Sequence, residues 1–310
     1  MKQGKTIAQQ LKKLTDRKLK IGDYDKAANI LRNVNYYTLT GYLFPFKDKH
    51  SNNYSSGASI ELAIARYQFD NDIRNLLLSF VAEAEEKLKT RIAYHIAINH
   101  LKAPLIYTDI QYWKSANDYQ RFMSDFRKNI SNNKDIPFVK HHMTCYNGKF
   151  PIWVAVNLFT LGNIKYLYKN IPSKDRKIIS RDLNLSPKTL DSWIDTLRIL
   201  RNYLAHNMRL YGTNFIRTPK WEKHHANKVQ TNKLFINFIL LKHLLNDTTI
   251  WKHNISKLDS ILENYSMYIN KEDLGFPLDW KTVLEINPKQ CKRPRLHSGG
   301  EVRRLKKKQC

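Results

Sequence analysis

The sequence predicts an all-α fold, and three observations carry that reading. The 310 residues include only 10 Gly and 10 Pro, too few turn-formers to punctuate a chain of many short strands. Apolar residues recur at helical spacing through Leu62, Phe69, Ile73, Leu77, Val81, Leu88, Ile92 and Ile96, with no helix breaker between Ser59 and Pro104. Asp23, Ser173 and Ser186 stand ahead of other periodic stretches, where helix-capping side chains are expected. The expectation is a helical bundle with additional N- and C-terminal helices. Residues 1–57 read as a helical and aromatic segment packed on the main domain, 58–286 as that domain, and 287–310 as a basic tail.

Taken in order, residues 6–19 carry Ile7, Leu11 and Leu14 among lysines and predict a short amphipathic helix. Asp23 opens a second through Ala27, Ile30, Leu31 and Val34. The block Asn35-Tyr36-Tyr37-Thr38-Leu39-Thr40-Gly41-Tyr42-Leu43-Phe44-Pro45-Phe46 is dense in aromatics. It reads as a packed loop, with Tyr36 and Tyr37 as candidates for stacking on RNA bases. Residues 47–57 are a polar loop, and Ser59 starts the longest helix. Residues 115–131 predict another helix and 132–135 a loop. Residues 151–168 form an apolar helix interrupted at Gly162, with Pro151 suited to its first turn. Ser173 caps a helix to about Leu183, and Ser186-Pro187 opens a helix over 186–208. Two further helices are read over 228–246 and 250–268, and 280–286 closes the fold.

The formal net charge is +26, with 53 Lys and Arg against 27 Asp and Glu. Residues 289–310 contribute nine Lys and Arg against Glu301, a net of +8, so the preceding residues carry +18. That tail reads as disordered, either a flexible RNA-binding arm or an extension foreign to the fold. A polyanion is the expected partner, and nucleic acid is favoured over membrane because no apolar run approaches the ~20 residues of a span. Three cysteines, far apart and odd in number, imply no disulfide framework, and with no signal-like N-terminus a cytoplasmic setting is expected. His141, His142 and Cys145 lack a second pair at zinc-finger spacing, so no metal site is expected. No Gly-rich phosphate loop, nucleophile elbow or internal repeat is present.

The stretch with chemistry is Arg198-Ile199-Leu200-Arg201-Asn202-Tyr203-Leu204-Ala205-His206-Asn207-Met208-Arg209. Arg201 is the only arginine with a histidine five positions on; chance alone supplies roughly 0.6 such pairs in this composition. Asn202, His206 and Arg209 are spaced to share one helix face, with Arg201 about 140° from His206 on an ideal helix. Arginine and histidine without carboxylates or metal suit RNA cleavage through the 2′-hydroxyl. Histidine moves protons near neutrality, and arginine offers a fixed charge and a planar fork to phosphate oxygens. The competing reading is a solvated basic helix face. A neighbouring Glu85, if it faces this helix, would orient Arg201 or His206, while Glu85 and Lys89 also stand at ion-pair spacing. His95 reads as a packed histidine.

Several segments together resemble the Abi-like (AbiD/AbiF) abortive-infection proteins. They are Asn35 to Tyr42, Phe69-Asp70-Asn71-Asp72-Ile73-Arg74-Asn75, Glu85 with Lys89-Thr90-Arg91-Ile92-Ala93-Tyr94-His95, Pro151-Ile152-Trp153 with Phe159-Thr160-Leu161-Gly162, and Leu200 to Leu210. The similarity runs in order over roughly residues 5–285. It implies a HEPN-like helical bundle and a metal-independent endoribonuclease with Arg201, Asn202 and His206 as the catalytic trio. Lys89 stands where the pattern has Arg and Asn157 where it has Glu. Glu85, Arg198 and Arg209 are then supporting residues, and Lys89 and Arg91 RNA-binding candidates. The resemblance also implies a defence or toxin–antitoxin setting, a small RNA inhibitor in some relatives and no cofactor. A homodimer would supply the second proton-transfer group, because the chain has one such motif. The alternative is a non-catalytic RNA-binding protein on the same scaffold.

Overall fold

The computed structural model describes residues 3–222, 231–245 and 248–286. The described residues fold into α-helices with short 3-10 turns and no strand; their only extended pairings are isolated bridges, Lys20 with Ser59 and Lys47 with Tyr54. The chain is all-α, as its spacing predicts. The basic tail and residues 228–230 and 246 of the helix expected over 228–246 lie outside the described residues; residues 231–234 are not α-helical, and the helix begins at Phe235.

The spine is α4, Ile60–Asn99, capped by the Ser59 hydroxyl on the Leu62 amide. At ~1.5 Å per residue its forty residues span roughly 60 Å. Its first two-thirds are buried on more than one side, as at Ala63, Ile64, Ala65 and then Ile73, Arg74, Leu76, Leu77. Beyond Val81 the buried positions narrow to a stripe, Ala84, Leu88, Ile92, Ala93 and Ile96, which leaves Glu85 and Lys89 on its flank. This change of pattern records what surrounds it. The apolar helices α11 (Phe235–Leu245) and α12 (Thr248–Asn264) cover one part, and α9 (Ser173–Asp182) and α10 (Pro187–Ala205) another.

The N-terminal elements α1 (Ile7–Asp16), α2 (Tyr24–Asn33) and α3 (Tyr36–Thr40) lead into a 3-10 turn over Gly41–Phe46. The Thr6/Gln9 capping box starts α1. Leu39, Tyr42 and Leu43 are buried, whereas Tyr37 and Phe44 are more than 70% exposed, so the aromatic block is mostly packing with two rings left in solvent. Tyr36 is half-buried and its hydroxyl finds no partner among the described residues. Burial raises its pKa above the ordinary value.

Helix α9 is pinned to α4 at both ends. Asp175, 3% exposed, accepts from Asn99 Nδ2 at 3.0 Å, His100 Nε2 at 2.9 Å and Tyr112 Oη at 2.7 Å. Asp182 meets His95 at 3.5 Å and Arg91 at 3.4 Å. The His95 hydrogen bond, with Arg91 beside it, holds Asp182 below the ordinary carboxylate range against the opposing effect of burial. His95 is thus packed and paired.

The structure redraws the middle of the chain. After α5 (Ala116–Asn132), residues Pro137–Cys145 form a helix, α6, which periodicity had not marked; Pro137 sits in its first turn, where no amide partner is needed. His142 stacks on Phe150 and Tyr146. Among the described residues no three His, Cys, Asp or Glu side chains are placed to hold a metal. The apolar stretch from Pro151 breaks at Phe159 and Thr160 rather than at Gly162, giving α7 (Ile152–Ala155) and α8 (Leu161–Asn170). A capping box between Thr160 and Asn163 explains the position of the break, because it satisfies amides that continued helix would otherwise bond. Pro172, not Ser173, occupies the N-cap position of α9, with no side-chain cap hydrogen bond. The short α13, Trp280–Leu284, ends the described chain, tied by Trp251 Nε1 to the Leu284 carbonyl at 2.7 Å.

Candidate active-site cleft

Helix α10 begins with Ser186 capping the Thr189 amide and Pro187 in its first turn. It buries Leu190, Trp193, Ile194, Leu197, Leu200 and Leu204 and packs against α4, α8 and α9. Its apolar face leaves Arg198, Arg201 and Asn202 toward solvent. The helix stops at Ala205, and His206 is the capping residue. Asn207 follows with φ of +50°, a left-handed turn that Asn tolerates better than most residues.

Arg198, Arg201 and Asn202 line an open cleft of about 520 Å³. Glu85 and Lys89 of α4 form another wall, Asn129 and Asn133 come from the end of α5, Ile136 and Phe138 from the start of α6, and Asn157 to Gly162 from the break before α8. Glu85 pairs with Lys89 at 2.6 Å, with the two side chains 20% and 14% exposed. Arg198 donates to Asp195 at 2.9 and 3.1 Å, and Lys165 joins the same carboxylate at 2.7 Å. Burial works to raise the Asp195 pKa, but the hydrogen bonds from Lys165 and Arg198 outweigh it and hold the group low. Arg201 differs. It is exposed on the cleft, and its guanidinium has no hydrogen bond or ion pair among the described residues.

Of the residues expected to act together, Arg201, Asn202, Arg198, Glu85 and Lys89 therefore share one cleft. Glu85 spends its carboxylate on Lys89 and makes no bond to Arg201 or His206. His206 is exposed at the helix end and does not line the cleft. Arg209 does not share a helix face with His206, because the helix has already ended; it donates to the Gly41 carbonyl instead. Arg91 is engaged with Asp182. Tyr37, 75% exposed, belongs to the separate aromatic block with Tyr36 edge-on to it.

The turn after His206 is held by contacts that single-segment reading did not assign. Asp70, fully buried on α4, accepts from the Leu210 amide at 2.7 Å, the Tyr211 amide at 2.9 Å and Tyr42 Oη at 2.6 Å. Arg74 donates to the Met208 carbonyl at 2.9 Å. Burial lifts Asp70 to about 6 despite these three hydrogen bonds, and burial together with the Asp70 charge pushes Tyr42 upward. A clue was visible in the acid and arginine of Phe69-Asp70-Asn71-Asp72-Ile73-Arg74, polar residues inside an otherwise apolar helical stripe. The Asn129/Asn133 wall gave no comparable signal.

Chemically the cleft combines an uncommitted arginine, two cations already paired, several amides and an apolar margin, a set suited to an anionic ligand with a polar ring. No described helix is long and apolar enough to cross a membrane. No curated protein and no solved structure matches the chain significantly. The Abi-like protein family model matches residues 29–212, a span that holds α4, the Asp70 clamp, every wall of the cleft and all of α10. With more than half of its length inside that match, this chain belongs to the Abi-like protein family.

Proposed function

We propose that this protein is a metal-independent endoribonuclease acting in abortive infection, with RNA bound across the α10 cleft. The observation that carries this is Arg201: an exposed guanidinium on a cleft wall, unpaired among the described residues, one residue before Asn202 and one turn before the exposed His206. A phosphate is the ligand that such a fork fits. In the proposed reaction His206 removes the proton of a ribose 2′-hydroxyl, whose oxygen attacks the adjacent phosphorus. The bond to the 5′-oxygen breaks, and that oxygen takes a proton as it leaves, while Arg201 stabilises charge building on the phosphoryl oxygens. Asn202 holds a phosphate oxygen or the His206 ring.

The second proton-transfer group is proposed to come from a second copy of the chain, with the exposed ends of α10 facing across a two-fold axis. Four basic groups brought together repel unless phosphate lies between them, so RNA should tighten the dimer.

The test is purified protein with total RNA and a chelator, wild type beside Arg201→Ala and His206→Ala. Cleavage by wild type alone supports the enzyme. A toxin–antitoxin arrangement in which a small RNA holds the protein inactive is part of the same proposal, and co-purification of a discrete RNA tests it. One observation favours the rival reading, a non-catalytic RNA-binding protein: His206 stands outside the cleft lining. That reading predicts no cleavage and an RNA affinity that falls with Arg201→Ala but not with His206→Ala.

A further inference from the structure

The amides of the cleft wall are not equivalent to free asparagines. Asn129 donates its Nδ2 to the Leu158 carbonyl at 3.0 Å and makes a longer contact to Asn163 Oδ1 at 3.4 Å. Asn133 donates to the Asn129 carbonyl at 2.7 Å. Asn157 donates to the Val154 carbonyl at 3.1 Å, with Trp153 at 3.5 Å. A backbone carbonyl can only accept, so these contacts fix which end of each amide is the NH2 group. With one N–H of each amide held by a carbonyl, Asn133 and Asn157 keep at most one N–H each for a ligand, whereas Oδ1 has no partner among the described residues in any of the three.

The cleft is therefore sorted by hydrogen-bond polarity. Arg201, Arg198 and Lys89 carry donors and positive charge, while the Asn129, Asn133 and Asn157 side is weighted toward acceptors beside the half-buried ring of Phe138 and the apolar Ile136. Phosphate suits the first side. The second suits a flat ring that presents N–H groups. Adenine, cytosine and guanine each carry an exocyclic amino group with two N–H donors; uracil has a single ring N–H flanked by two carbonyl oxygens, and those oxygens would face acceptors. Phe138 offers a stacking surface for whichever base enters, so selection falls to the amides.

We infer that this cleft is a nucleotide pocket that selects an amino-bearing base over uracil through Oδ1 of Asn129, Asn133 and Asn157, with the attached phosphate on Arg201. The inference rests on the proposal that RNA occupies the cleft, and it adds where sequence preference arises. A pocket built to accept from an amino group rejects a base lacking it more strongly than an apolar pocket rejects a lost methyl, because its acceptors are left unpaired.

The experiment measures binding with chelator present, using full-length His206→Ala protein and short labelled oligoribonucleotides that differ at one central base. Adenosine is compared with purine riboside, which lacks only the 6-amino group, and cytidine with uridine. The expected result is binding at least roughly tenfold weaker for purine riboside and for uridine. The preference should vanish in a second protein that also carries Asn133→Leu and Asn157→Leu, with thermal melting confirming that it is folded. Equal affinity within both base pairs on the asparagine-intact protein overturns the inference without any appeal to the leucine variants. Cleavage by the wild type with no base preference overturns it while leaving the nuclease standing. A clear amino-base preference in binding, with no cleavage by wild type, supports the pocket and removes the nuclease.

Discussion

Removing the Asp70 carboxylate should loosen the turn that follows His206 more than any single change on the cleft surface. In Asp70→Ala two buried backbone amides, Leu210 and Tyr211, and the buried Tyr42 hydroxyl lose their acceptor. Each unpaired buried group costs about 1–3 kcal/mol, partly offset because the ionised carboxylate is itself expensive to bury. A net loss of about 2–4 kcal/mol is expected, large against the 5–15 kcal/mol typical of a domain. Asp70→Asn keeps one acceptor but must turn an NH2 group toward one backbone amide, since Oδ2 serves Leu210 and Oδ1 serves Tyr211. Its loss should be about 1–3 kcal/mol.

The pH dependence of the Asp70 contribution has a definite sign. The folded value, about 6, lies above the ordinary 3.8, so the native state binds the proton more tightly than the unfolded chain. The contribution of Asp70 is then fully present below pH 3.8 and is lost as the pH rises through 6, which makes Asp70→Asn most damaging near the acid end of that window. Urea unfolding across that pH range gives the stabilities, and hydrogen exchange gives the local effect. The Leu210 and Tyr211 amides should exchange slowly in wild type and fast in Asp70→Ala. Stability of Asp70→Ala within about 0.5 kcal/mol of wild type, with both amides still protected, would refute the clamp.

Gly275 has φ of +80°, and a Cβ there would sit 2.6 Å from Thr231 Oγ1, so Gly275→Ala should cost more than about 1 kcal/mol in a thermal melt. Asp182→Asn weakens the α9 anchor: its depressed carboxylate contributes stability above the ordinary pKa that disappears as the pH falls, so wild type and variant should converge in acid unfolding. RNA affinity should fall with salt, and Arg201→Ala should reduce the log–log slope by about 0.7 if it contacts one single-strand phosphate; an unchanged slope excludes that contact. Asp175→Asn leaves one of its three donors, on Asn99, His100 and Tyr112, without an acceptor, which should speed amide exchange in α9 before global unfolding; uniform exchange would contradict that.

The helices were legible in the sequence because what makes them is local. Apolar spacing, Asp23, Ser59 and Ser186 at helix starts, and Pro187 in a first turn act within a few residues and are where the sequence puts them, whereas Ser173, also read as a cap, lies just inside its helix. The cluster of Arg198, Arg201 and Asn202 was legible for the same reason. Two local features were nonetheless misread: α6 carries a weak apolar pattern, and the break at Phe159 and Thr160 depends on a capping box that outweighs the flexibility of Gly162. The company each side chain keeps was decided only by tertiary structure. Arg209 spans 168 positions of sequence to reach Gly41, Asp70 spans 140 to reach Leu210, and Asn129 and Asn133 arrive at the cleft because α5 packs on α8. Periodicity reports which face of a helix is apolar, but not which other helix covers it. Arg201 and His206 are five residues apart in sequence, yet they part where α10 ends at Ala205: the first remains on the cleft wall, and the second begins the turn that Asp70 and Arg74 hold in place.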